Sequence, residues 1–98
     1  MKKLSSNTGL IHTKCANDRT AKWQKDNAGK TIKVGDNCKM EFKDDYGNSE
    51  HMWVEVTKIT SHSFQGKLNN DPIRITDIKY GGAVVFPFTS IEQHIPKE

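Results

Sequence analysis

The chain has 98 residues, 34% of them hydrophobic, with a mean hydropathy of −0.76 and a formal charge of +3. That length allows one domain and leaves too little chain for a second independent core. The low apolar content stops short of disorder, because the apolar residues cluster after position 31.

The charge is uneven. Residues 1–43 carry ten Lys/Arg against four Asp/Glu, or +6; residues 44–98 carry five against eight, or −3. A basic front half could meet an acidic protein or nucleic acid, but a solvated surface is the preferred reading; no block of five like charges occurs. Cys15 and Cys38 stand 23 positions apart, with no C-x-x-C and no zinc-finger spacing, so neither a structural zinc nor a disulfide framework is expected. Met1-Lys2-Lys3 is followed at once by Ser5-Ser6-Asn7-Thr8 instead of an apolar stretch, and no run approaches a membrane span. The expectation is a cytoplasmic protein with reduced thiols.

In chain order, residues 1–31 read as an N-terminal arm with a short extended piece at Gly9-Leu10-Ile11 and a short helix over 17–27. Asn17 or Asp18 would cap the helix, Gly29 would follow its end, and Trp23 would be laid on something else. Residues 32–98 read as a small β domain. After a turn at Ile32-Lys33-Val34-Gly35-Asp36, Cys38, Met40 and Phe42 alternate with polar residues, the two-residue period of a strand with one wet face. Asp44-Asp45-Tyr46-Gly47-Asn48 is a turn cluster. The longest strand runs from about Glu50 to Ile59, with Met52, Val54 and Val56 on one face and His51, Trp53, Glu55 and Thr57 on the other.

A turn at Ser61-His62 leads to a strand through Phe64, Gly66 and Leu68, completing an antiparallel meander. Asn69-Asn70-Asp71-Pro72 is a break with turn chemistry, and Ile73 and Ile75 are expected in a short strand. Residues 83–88 make the last strand, with Pro87 suited to an edge. Thr89-Ser90-Ile91-Glu92 has capping-box spacing, which points to a short closing turn of helix. Ile32-Lys33-Val34-Gly35 and Ile78-Lys79-Tyr80-Gly81 share Ile-Lys-x-Gly before a strand, as though glycine supplied a positive φ twice. The expected fold is mainly β: a small SH3-like or partly open barrel of five to six short antiparallel strands with one N-terminal helix. The second choice is an open sheet with the helix packed on one face.

Glu50-His51-Met52-Trp53-Val54, Phe64-x-Gly66-x-Leu68-x-Asn70-Asp71-Pro72, the Lys79-x-Gly81 turn before Val84-x-Phe86-Pro87, and Ile91 together resemble the bacterial family catalogued as domain of unknown function 2314. The resemblance spans about residues 32–95. Gly82 departs from it, standing where the family is expected to carry an acidic residue. The resemblance implies a small bacterial or phage-borne domain and supplies no activity, catalytic residue or ligand.

The residues themselves offer several candidate sites. Trp53 on a central strand is expected to fill the core, with His51 bonding a neighbouring strand or loop; the alternative is an exposed Trp–His recognition pair with Glu50 on the opposite face. Asn70 and Asp71 form either a structural Asx turn before Pro72 or a loop tip that binds a cation or amine, and the structural reading is preferred. A metal site would need Glu50, His51 and Asp71 to converge with His62 or His94, and no motif supports it. No nucleophile elbow, activated cysteine or phosphate loop is present. Lys39, Lys43, Lys58 and Lys67 near Trp53 and Tyr46 make a candidate face for single-stranded nucleic acid, with Glu41, Glu55, Asp44 and Asp45 set among them.

The first expectation is a non-catalytic protein-binding or regulatory module, monomeric or weakly dimeric, without cofactor or metal. A weak single-strand binder and a small-ligand sensor or enzyme using His51 are the alternatives.

Overall fold

The computed structural model describes residues 16–28, 30–61, 63–76 and 78–97, and the backbone of 11–12. The expectations that fall on Met1-Lys2-Lys3, Gly9-Leu10, Cys15, Gly29 and His62 therefore lie outside the described residues. The elements are β1 (Ile11–His12), α1 (Asp18–Asp26), β2 (Asn37–Lys43), β3 (Ser49–Ile59), β4 (Phe64–Leu68), β5 (Ala83–Phe86), a 3-10 turn (Phe88–Ser90) and β6 (Gln93–Ile95).

The strands form one sheet in the order β1-β5-β4-β3-β2-β6. Only β1 runs parallel to its neighbour; the other pairings are antiparallel. Among the described residues, the mainly β class, the strand number and the one short helix are as expected. The sheet is open, since β1 and β6 lie at opposite edges, and these outer strands have two and three residues.

An open sheet must hide its apolar face in another way. Here Cys38, Met40, Phe42, Met52, Val54, Val56, Leu68, Val84 and Phe86 supply that face. Ile32, from the turn before β2, and Ile75 and Ile78, from the β4–β5 connection, join the same cluster. Covering loops thus do the work that barrel closure does elsewhere.

Helix α1 has nine residues, too few to hold without tertiary packing. Asn17 caps it: its Oδ1 accepts from Arg19 N and Thr20 N, while Thr20 Oγ1 accepts from Asn17 N. Trp23 anchors it, with its ring 5.0 Å from Phe88 and edge-on to His94 at 6.3 Å. Gln24 Nε2 donates to the Phe88 carbonyl.

Several local expectations change. Ile73 and Ile75 form no strand; the described residues of the connection from 69 to 82 are irregular, and it reaches the core through Ile75 and Ile78. Strand β5 stops at Phe86 and lies inside the sheet, so Pro87 ends the strand and occupies no edge. The closing turn forms as a 3-10 turn without a side-chain cap, and the chain continues into β6, which β2 recruits by pairing Cys38 with His94. The Ile-Lys-x-Gly echo is real geometry. Gly35 and Gly81 have φ of 96° and 81°, the following residues donate to Lys33 O and Lys79 O, and Ile32 and Ile78 are both buried.

Candidate functional site

The face of the sheet opposite the core is polar. Cross-strand partners there are Lys39 with Trp53, Glu41 with His51, and Glu55 with both Asn37 and Lys67. Trp53 is half-buried on this face and not in the core, which corrects the preferred expectation for it. The cause is register: Met52 and Val54 take the core side of β3, so Trp53 between them must take the other. Lys39 Nζ lies 5.9 Å from the Trp53 ring centroid, a cation–π distance.

Strict alternation would send Lys58 to the core side with Val54 and Val56. A register shift between Val56 and Lys58 opposes Lys58 to Gln65 and returns it to the polar face. Lys39, Lys58, Lys67 and Trp53 are therefore brought to one face, with Lys58 and Lys67 exposed. Lys43 lies at the far end of β2 and Tyr46 in the following turn, both exposed.

His51 stands in a polar cluster at the N-terminal end of α1. Its Nδ1 lies 2.6 Å from Glu92 Oε1, and its Nε2 lies 3.9 Å from Glu41 Oε2. Arg19 Nη1 sits 3.4 Å from His51 Nδ1 and 4.0 Å from Glu92 Oε2. Asn17 Nδ2 donates to Glu41 Oε1 at 2.9 Å and reaches Glu92 Oε2 at 3.5 Å. The Glu92 side chain is 2% exposed and that of His51 30%. The cluster ties the helix cap, two central strands and the segment before β6 together. An open depression of about 520 Å³ runs alongside it, lined by Arg19, Lys22, Trp23, Lys39 and Glu92 among others.

Glu50 and Asn70 turn out to be staples. The Glu50 carboxylate accepts from the backbone N–H groups of Ile73 and Arg74 at 2.8 Å and of Ile75 at 3.1 Å. Burial pushes its carboxyl up, but those donors and the nearby Arg74 charge outweigh it and hold the group below the ordinary value. Asn70 Oδ1 accepts from Trp53 N, and Asn69 N donates to Trp53 O, which satisfies β3 where β4 has ended. Asp71 is exposed and does not join His51 or Glu50.

His94 lies apart from His51, paired with Asp36 in the buried layer at 2.8 Å. Among the described residues no group of three or more His, Cys, Asp or Glu is arranged to hold a metal ion. Burial, with the Asp36 charge beside it, pushes the Cys38 thiol up to about 12, which keeps it protonated and inert.

The model of the family described as an uncharacterized protein conserved in bacteria (DUF2314) matches residues 17–95. The chain belongs to this family. The match takes in helix α1 and its Asn17 cap, which the resemblance seen in the sequence had left outside. No curated protein and no solved structure shows significant similarity to this DUF2314 domain. No helix among the described residues is long and apolar enough to cross a membrane.

Sequence reasoning missed Arg19, Glu92 and Asp36. Glu92 was noticed only as the end of a capping box, and its placement against His51 depends on β6 pairing with β2. Asp36 was noticed only as part of a turn.

Proposed function

We propose that this DUF2314 domain is a non-catalytic binding module that engages an acidic segment of a partner protein on the polar face of its sheet. The observation that carries this reading is Trp53, half-buried on the side away from the core with Lys39 at cation–π distance and with Lys58 and Lys67 further along the same face. An indole on a rigid strand gives contact area at little entropy cost, and flanking ammonium groups select an anionic partner. Two carboxylates at this face, Glu92 and Glu41, are committed to the His51 cluster, and Glu55 stands opposite Lys67 in the strand register. His51 supports the scaffold in this reading, and the protonated Cys38 offers no nucleophile.

Lysines around a Trp on a sheet also fit single-stranded nucleic acid, where bases stack on the ring. One titration separates the two. Polyglutamate and a thymidine oligonucleotide are added in turn to isotopically labelled protein at low salt, and amide shifts are followed. Shifts at Lys39, Trp53 and Lys67 with polyglutamate, abolished in Lys39→Glu/Lys67→Glu, are the expected outcome. A response to the oligonucleotide alone transfers the reading to nucleic acid, and no response to either polymer sinks it.

A further inference from the structure

The β4–β5 connection carries the greatest apolar exposure among the described residues. Ile73 is 88% exposed and Tyr80 62%. Both line a depression of about 460 Å³, as do Asp71, Pro72 and Lys79. The described residues of this connection, 69–76 and 78–82, lie in no helix or strand, and a long connection of that kind usually has a use in a compact domain.

The described part of the loop is tied down at several points. Glu50 holds the backbone N–H groups of Ile73, Arg74 and Ile75. Ile75 and Ile78 are rooted in the core, and Gly81 N donates to Leu68 O to close the neck. An isoleucine is thus presented to solvent on a backbone that cannot fold it away. Nothing in the packing of the domain requires Ile73 to be apolar, whereas a partner surface would.

We propose that this loop is the interface of a symmetric homodimer. The patch is self-complementary in two respects. The exposed Ile73 and the hollow beside it belong to the same loop, so a two-fold axis seats the knob of each copy in the hollow of the other. Asp71 and Lys79, both exposed, line the same depression with opposite charges, and the same axis would bring each against its counterpart crosswise. The interface uses none of Lys39, Trp53, Lys58 or Lys67 and stands independently of the binding face proposed above.

Sedimentation velocity from micromolar to millimolar protein tests it, alongside circular dichroism to confirm that each variant stays folded. The wild type is expected to dimerise with rising concentration. Ile73→Asp, at a solvent-exposed position, is expected to weaken the dimer by more than about tenfold while leaving the fold intact. Asp71→Lys and Lys79→Asp are each expected to weaken it, and the double exchange to restore it. A wild type that stays monomeric throughout, a dimer indifferent to Ile73→Asp, or single charge reversals without effect would overturn the proposal.

Discussion

Asp36 and His94 meet 2.8 Å apart with side chains 4% and 3% exposed, joining the turn before β2 to the last strand of the sheet. The same carboxylate accepts from Lys33 N and Lys97 N, so one aspartate fixes both the turn and the chain end. Cutting one side of a buried, hydrogen-bonded pair leaves the other polar group stranded. Asp36→Ala is expected to cost about 3–5 kcal/mol, read by urea denaturation.

The pair also sets an acid limit. Burial pushes the Asp36 carboxyl up, but the donors from Lys97, His94 and Lys33 prevail and hold it below its ordinary 3.8. A carboxyl with a depressed folded-state pKa stabilises fully above the unfolded value and loses that contribution as pH falls through the folded one. Stability is therefore expected to decline below pH 3.8, with a shallower decline in Asp36→Asn across the same window. Equal slopes in the two proteins would show that Asp36 is not responsible.

Glu50 makes a second long-range staple, reaching from β3 to three successive N–H groups in the β4–β5 connection. Charged hydrogen bonds of this kind contribute about 1.5–3 kcal/mol. Glu50→Ala is expected to cost about 2 kcal/mol and, more tellingly, to accelerate amide exchange at Ile73–Ile75 ahead of global unfolding. Unchanged exchange at those amides would mean that Ile75 and Ile78 alone hold the loop.

Gly66 lies where β4 meets β3, and a Cβ there would press on the Glu55 carbonyl oxygen and a Val54 methyl, well inside van der Waals contact. Backbone on one side leaves little room to relax. Gly66→Ala is expected to destabilise by about 1–3 kcal/mol through overpacking. Gly47 is the control: its φ of 87° disfavours a side chain, but nothing lies within 4 Å. Gly47→Ala is expected to cost about 1 kcal/mol, so thermal melts should rank Gly66→Ala well below it.

The sequence by itself determined the elements that rest on local periodicity. Cys38, Met40 and Phe42, then Met52, Val54 and Val56, marked two strands and their inner faces, because a side-chain period of two survives without knowledge of neighbours. A helix cap at Asn17 or Asp18, and glycine before β2 and β5, were legible for the same reason, the structure choosing Asn17: a cap and a positive φ are chemical demands on single residues.

Only the tertiary structure decided the rest. Strand β6 has three residues and exists because β2 offers it an edge. Lys58 reaches the polar face through a bulge that no alternation announces. Glu92 reaches His51 across 41 positions, and Glu50 turned from candidate ligand into a loop staple. These are contacts between distant residues whose partners are set by register and chain path, and neither is written into a local run of amino acids.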